Sequence, residues 1–194
     1  EEGGEISRFY GYVADGIFQN QTEVNAHTDE YGTVIQPNAQ PGDIRFKDLN
    51  HDGKLDDNDK TFIGNAFPDL MVGINARLAW KNIDFAANFY GTIGNDVYNT
   101  TKGRYSGVSG ENVYAGTYNA SWHGEGTSYD LPRLSYNDAN QNWTRVSSFY
   151  VEDGSYLRCK QLQIGYTLPK KWTKKISLRL SFSAQNPFTI TGYS

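Results

Sequence analysis

The 194-residue chain carries one cysteine, Cys159, and one methionine, Met71. A lone cysteine excludes an intrachain disulfide framework and any zinc site built on paired cysteines. Cys159 stands in a strand-like run and reads as a small packed residue. No run of 18 apolar residues occurs, so no transmembrane helix is encoded. Neither a signal peptide nor a lipidation motif can be read, and neither absence is informative unless Glu1 is the natural N-terminus. Charge of one sign is also scarce: the net value is −4 with a pI near 5.4, which argues against a nucleic-acid partner. No convincing helical periodicity appears. What the chain has instead is 20 Gly and 14 Tyr, concentrated in long irregular stretches between alternating segments.

The most informative stretch is 48–59, Asp-Leu-Asn-His-Asp-Gly-Lys-Leu-Asp-Asp-Asn-Asp. It places oxygen donors at Asp48, Asn50 and Asp52, a glycine at Gly53, and a carboxylate at Asp59, the twelfth position. Calcium takes six to eight oxygens, and this spacing lets one loop wrap it, with Lys54 giving its carbonyl and Asp56 acting directly or through water. Gly53 serves the sharp turn at position six. Leu55 is the apolar tether to a core. The loop is EF-hand- or dockerin-like in spacing but lacks flanking helices of ten or more residues, and Asp59 is one methylene shorter than the usual Glu. A structural ion pinning a long loop is the expectation, rather than a sensor.

Alternation is the main secondary-structure signal. Leu70, Val72, Ile74, Ala76, Leu78 and Trp80 oppose Met71, Gly73, Asn75, Arg77 and Ala79, which predicts a strand with one apolar face. After Lys81-Asn82, residues Ile83, Phe85, Ala87 and Phe89 oppose Asp84, Ala86, Asn88 and Tyr90. Leu162, Ile164, Tyr166 and Leu168 alternate with Gln161, Gln163, Gly165 and Thr167; beyond a turn at 169–175, Ile176, Leu178, Leu180 and Phe182 alternate with Ser177, Arg179, Ser181 and Ser183. A fifth strand is expected from about Ser7 to Phe18.

The connections are of two kinds: tight links at 80–82 and 169–175, and long ones at 19–68 and 95–153. Short turns on one side and long loops on the other are the layout of an outer-membrane β-barrel, whose strands of about 9–11 residues turn apolar side chains to lipid and polar ones to the lumen. Trp80, Tyr166 and Trp172 near the short turns suit an interfacial aromatic girdle. A soluble antiparallel sandwich gives the same alternation with its apolar face buried, so alternation alone leaves both open. The smallest bacterial barrels have about eight strands, and five cannot close, so on the barrel reading residues 1–194 are a fragment.

Several segments, in order, carry a family resemblance: Gly11-Tyr12 with Asp15-Gly16-Ile17-Phe18-Gln19; Pro41-Gly42-Asp43-Ile44-Arg45-Phe46-Lys47-Asp48-Leu49-Asn50 with Ile63-Gly64-Asn65; Gly94 through Asn99; Tyr150 through Arg158; and Gln185-Asn186 with Phe188-Thr189-Ile190-Thr191. Together they resemble the SusC/RagA family of TonB-dependent outer-membrane transporters of Bacteroidetes-type bacteria, in the late, C-terminal part of the barrel. Cys159 stands for a usual leucine, Asn186-Pro187-Phe188 for Asn-Leu-Phe, and His51 for the commoner glycine of the calcium loop. Pro187 removes a ladder donor and predicts an edge, a bulge or a strand end. The resemblance implies a Gram-negative outer-membrane location and import of glycans or peptides. It further implies a SusD-like surface lipoprotein as lid, drive through TonB acting on a plug not included here, and two extracellular loops at 19–68 and 95–153.

No catalytic constellation is visible. Glu152-Asp153 are adjacent rather than convergent and precede Gly154 like a turn; His123 with Glu125 lacks a second histidine at helical spacing; Gly124-Glu125-Gly126 follows no strand-to-helix pattern. The 95–153 loop is dense in rings: Tyr98, Tyr105, Tyr114, Tyr118, Trp122, Tyr129, Tyr136 and Trp143. Such rings stack on sugars and equally pack loops or partner surfaces. Trp122 and Trp143, each set among Gly, Ser and Asn, are the candidate ligand or partner contacts. The competing class is a self-contained, calcium-stabilised extracellular β-module for glycan binding or adhesion.

Overall fold

The computed structural model describes residues 6–104, 112–113, 115–174 and 176–193; Tyr105 and Tyr114 of the aromatic loop lie outside the described residues. In chain order the elements are β1 (Arg8–Tyr12), β2 (Ala14–Ile17), α1 (Gln21–Ala26), β3 (Ile44–Phe46), β4 (Lys60–Asn65), β5 (Leu70–Trp80), β6 (Ile83–Ile93), β7 (Asp96–Tyr98), α2 (Thr101–Arg104), α3 (Ala115–Ala120), β8 (Val151–Asp153), β9 (Tyr156–Thr167), α4 (Lys170–Thr173) and β10 (Arg179–Thr191). The chain divides into two units, one of residues 1–65 and 98–152, the other of 66–97 and 153–194.

The second unit is a four-stranded antiparallel sheet in the order β10-β9-β6-β5. Its register puts like with like. Trp80, Ile83, Tyr166 and Leu180 form one row across all four strands, Leu78, Phe85, Ile164 and Phe182 the next, and Ala76, Ala87, Leu162 and Ala184 a third. The alternate rows are polar, as with Asn75, Asn88, Gln161 and Gln185. The apolar face is bare: Leu78 is 69%, Phe182 68%, Trp80 67% and Leu180 61% exposed. A sandwich would bury this face. The four strands expected from alternation are present; three run further than their alternation shows, β6 on to Ile93, β9 back to Tyr156 and β10 on to Thr191, while β10 starts at Arg179, three residues after Ile176.

The reason the early half of β9 was not legible is a bulge. Asn88 pairs Gln161 while Phe89 pairs Cys159, so Lys160 is an extra residue and the apolar parity changes from odd (Leu157, Cys159) to even (Leu162, Ile164, Tyr166). A one-residue insertion reverses the pleat, and the bulge keeps the apolar side chains on one face. On β10 the register slips between Gln185 and Phe188, at Asn186-Pro187, as the proline requires. Asn186 takes a positive φ of 48° there. Cys159 is fully buried between strand neighbours Phe89 and Phe188, whose rings lie 6.3 Å apart.

On the polar face Arg179 donates to Asp84 through Nη2 at 2.5 Å and Nε at 3.1 Å. These residues come from β10 and β6 and meet across Gly165 of β9, where a Cβ would fall 2.5 Å from Asp84 Oδ1. Both short connections lie at one end of the sheet, beside the row of Trp80 and Tyr166, with Trp172 of α4 also exposed there. Lys81, first of the two turn residues joining β5 to β6, has φ 53°.

The first unit differs more from expectation. The run expected as one strand from Ser7 to Phe18 is two short strands: β1 pairs β4, and β2 pairs β3. Both stand outside the four-stranded sheet. Among the described residues four short α-helices, none longer than six residues, occur where no helix was expected. Asn20 caps α1 by accepting from the Glu23 amide at 3.0 Å, a local device that does not need long amphipathic periodicity. The small core comprises Tyr12, Ile44 and Phe46, with Phe18, Val24 and Ala39 as a second cluster.

Candidate functional site

The first unit is built around Asp43, which is fully buried. Its Oδ1 accepts from Arg133 Nε at 2.6 Å and Asn142 Nδ2 at 2.8 Å, and its Oδ2 accepts from the Gln40 amide at 2.8 Å. Asn142 Oδ1 in turn accepts from the Ile44 amide and from Asn140 Nδ2, each at 2.8 Å. Gln36 Nε2 donates to Asn140 Oδ1 at 2.9 Å while its Oε1 accepts from the Phe46 amide at 2.7 Å. Buried polar groups of this kind are tolerated only when each is partnered, and a satisfied network fixes one arrangement. The network joins residues 36–46 to residues 133–142, so the two long sequence connections fold as one body. None of this pairing is visible in sequence.

Gly42 completes the hub. Its φ of 89° suits glycine, and a Cβ would strike ring carbons of Trp122, one at 2.7 Å, and Arg133 Cβ at 2.9 Å. Trp122 is thereby placed, half-buried, against the Pro41-Gly42-Asp43 turn. Trp143 is 7% exposed and packs edge-on to Phe149, with centroids 5.7 Å apart, so it offers little surface to a ligand. Among the described residues the exposed tyrosines of this stretch are Tyr118, Tyr129 and Tyr136. Tyr98 packs at a tilt against Phe9 and Tyr150, and burial raises the Tyr150 phenol far above its ordinary value. Burial likewise holds His27 below the usual imidazole pKa, although its Nε2 lies 3.1 Å from the Phe46 carbonyl.

In the 48–59 loop the acidic side chains other than Asp57, which pairs with Lys60, fold back on the chain. Asp48 Oδ1 and Oδ2 accept from the amides of His51 (2.7 Å) and Gly53 (2.8 Å). Asp59, fully buried, accepts from Leu49 (2.9 Å) and Asp56 (2.8 Å) and so clamps both ends of the loop. Asn50 and Asp52 accept from the amides two residues on, Asp56 from Asn58 at 2.8 Å. Gly53 has φ 79°, and Leu55 packs against the Tyr12–Ile44–Phe46 core as a tether should. His51 has φ 59°, the left-handed conformation that explains a glycine preference there. The donor set is all oxygen and suits a hard cation, and each carboxylate oxygen accepting one amide keeps a lone pair. Yet among the described residues no three His, Cys, Asp or Glu side chains converge in a metal-holding group.

Glu152 and Asp153 have structural partners: Glu152 takes Lys102 Nζ at 2.7 Å and Asn99 Nδ2 at 3.1 Å, and Asp153 accepts from the Ser155 amide at 2.8 Å, an Asx turn.

A four-stranded antiparallel sheet with alternating faces, its apolar face open, is a segment of a transmembrane β-barrel. The comparisons carry this further. No protein-family model matches the chain. It is 34% identical over 99% of its length to TonB-dependent receptor P3 of Formosa agariphila, and 25% identical over 98% to TonB-dependent receptor SusC of Bacteroides thetaiotaomicron. A solved structure of the RagAB peptide transporter superposes on 96% of the chain with a TM-score of 0.67 at 20% identity. The chain covers 18% and 20% of the two relatives and 19% of the solved chain, about a fifth of each. Over nearly its whole length the chain is thus homologous to part of the TonB-dependent receptors, SusC among them, and its fold is that of the matching part of the RagAB transporter.

Proposed function

We propose that the chain is part of a Gram-negative outer-membrane importer of glycans or peptides that works with a SusD-like surface lipoprotein as lid and is energised through TonB. The observation that carries this reading is the sheet. Its apolar face lies open where a soluble β-module would cover it, which disfavours the self-contained adhesion or glycan-binding alternative. The names of the relatives supply the rest: receptors that depend on TonB, among them SusC, and a peptide transporter. In this role the sheet contributes lipid-facing wall on one side and lumen lining on the other. The connections 19–68 and 95–153 leave the strand ends opposite the tight turns and form the extracellular portion. Trp122 is the better placed of the two tryptophans to meet cargo or lid.

The loop 48–59 is proposed to hold a structural calcium ion through Asp48, Asn50, Asp52, the Lys54 carbonyl, Asp56 and Asp59. Support comes from the all-oxygen donor set, the positive φ of Gly53 and the Leu55 tether. The ion would draw together and neutralise the loop's four ligand carboxylates and stiffen the loop.

The test is uptake by native cells carrying an in-frame deletion of the receptor gene. Loss of fluorescent oligosaccharide or oligopeptide uptake, with the tagged receptor in the outer-membrane fraction beside a surface lipoprotein, is expected. Unchanged uptake, or a tagged product in the soluble fraction, overturns the reading.

A further inference from the structure

The first unit contains a cavity of about 390 Å³ between residues 33–38, the 53–55 part of the acidic loop, and Ala139, Asn140 and Arg145. Its charge is unlike that of its surroundings. The chain as a whole is acidic and the adjoining loop carries Asp48, Asp52, Asp56, Asp57 and Asp59, yet no Asp or Glu lines this cavity, while Lys54 and Arg145 do. Neither cation has a carboxylate within ion-pair distance among the described residues, in contrast to Arg133, Lys102 and Lys60.

Arg145 is held in an unusual way for an unpaired charge. Its guanidinium carbon sits 4.6 Å from the ring centre of Tyr12 and 5.1 Å from that of Phe46. Only Nη2 has a partner, the Gln141 Oε1 at 3.1 Å; Nη1 is buried with no hydrogen-bond partner among the described residues. Burial lowers the pKa of the guanidinium, so its charge is poorly solvated. The acids whose charge it feels, Asp138 and Asp59, form no ion pair with it; Asp59 accepts the Leu49 and Asp56 amides and Asp138 those of Asn142 and Trp143. A buried charge is normally paired, because leaving it alone forfeits solvation without return. Gln36 and Asn140, also on the wall, spend both amide hydrogens inside the hub, so the unspent charged donors on the wall are those of Arg145 and Lys54. Ile35, Pro37 and Leu55 give the cavity an apolar side that suits the carbon skeleton of a small ligand.

We propose that this cavity is a binding site for a carboxylate-bearing ligand, with the half-buried Arg145 supplying the main positive charge and Lys54 a second cation at the rim. The carboxylate comes from one of two sources, the free C-terminus of a short peptide or a uronic acid of an oligosaccharide. The charge of the cavity carries the site, while the choice of these two sources rests on the transport reading.

The experiment is calorimetric titration of the full-length receptor in detergent at low salt with three probes: an aliphatic tetrapeptide, its C-terminally amidated form, and a glucuronate disaccharide. Binding of the free-acid peptide, at least about tenfold tighter than the amide, assigns a peptide terminus; binding of the glucuronate alone assigns an acidic sugar. Arg145→Gln is expected to abolish binding, and Lys54→Gln, at an exposed position that leaves the core untouched, to weaken it about three- to tenfold and flatten its salt dependence. If Arg145→Gln fails to fold, Lys54→Gln decides alone. No measurable binding of any carboxylate, equal binding of acid and amide, or full affinity in Lys54→Gln overturns the proposal.

Discussion

Replacing Gly42 by alanine tests whether the Pro41-Gly42-Asp43 turn is fixed by conformation and space rather than by chemistry. Two terms add. At φ 89° an L-residue is strained, by roughly 1–2 kcal/mol on the scale for left-handed backbone. The new Cβ also meets Trp122 ring carbons, one at 2.7 Å, and Arg133 Cβ at 2.9 Å, and overpacking of that kind costs about 1–3 kcal/mol. Neither neighbour yields easily, because the Trp122 amide donates to the Leu131 carbonyl at 3.0 Å and the Arg133 amide to the Gly42 carbonyl at 2.8 Å. The sum, about 2–5 kcal/mol, is a sizeable share of a domain's roughly 5–15. Hydrogen exchange in the full-length receptor reads it locally: peptides covering 36–46 and 131–142 should exchange about thirtyfold to a few thousandfold faster. Gly32→Ala is the control, since Gly32 has φ 83° with nothing within 4 Å of its added Cβ. If Gly42→Ala loosens the lobe no more than Gly32→Ala, the Trp122 contact is not a constraint and the reasoning fails.

Three further outcomes follow from the same lobe. His51→Gly relieves a positive φ of 59° and should slow exchange across 48–59, a gain of about 0.5–1 kcal/mol; faster exchange would show that the histidine side chain contributes more than its backbone strain. His27 is depressed by burial, so the unfolded lobe binds its proton more readily than the folded one. Stability is therefore full above the ordinary histidine value and falls as pH drops through it, and His27→Gln should remove that pH 7-to-5 slope in exchange or proteolysis rates. Chelating calcium with EGTA should accelerate exchange of 48–59, with Asp48→Ala abolishing the difference between calcium and chelator; identical rates in both conditions would remove the ion from the loop.

How much of this was legible in sequence depends on the range of the forces involved. The strands at 70–80 and 83–93 declare themselves because each alternates without interruption, and pleat parity is a local property. Pro187 announced its bulge because a missing donor is also local. The first half of β9 was hidden because Lys160 reverses parity inside the strand, and only cross-strand pairing to Phe89 reveals which side the odd residues take. The split of the 7–18 run is a matter of partners far away in sequence, Lys60–Asn65 for β1 and Ile44–Phe46 for β2. In the acidic loop, spacing disclosed the donor types, the Gly53 turn and the Leu55 tether. The Asp43 hub and the Arg145 cavity were not disclosed, since both join residues about 90 to 100 positions apart through side chains with no periodic signature.

The central claim is that one face of the β10-β9-β6-β5 sheet lies in lipid and the other in water. Spin labels placed singly at 180 through 185 of β10, in the full-length receptor carrying Cys159→Ala and reconstituted in bilayers, measure this directly. The account predicts a period of two: Leu180, Phe182 and Ala184 collide with dissolved oxygen, and Ser181, Ser183 and Gln185 with a water-soluble nickel complex. Equal access of the nickel complex to both sets, or the reverse alternation, would contradict it.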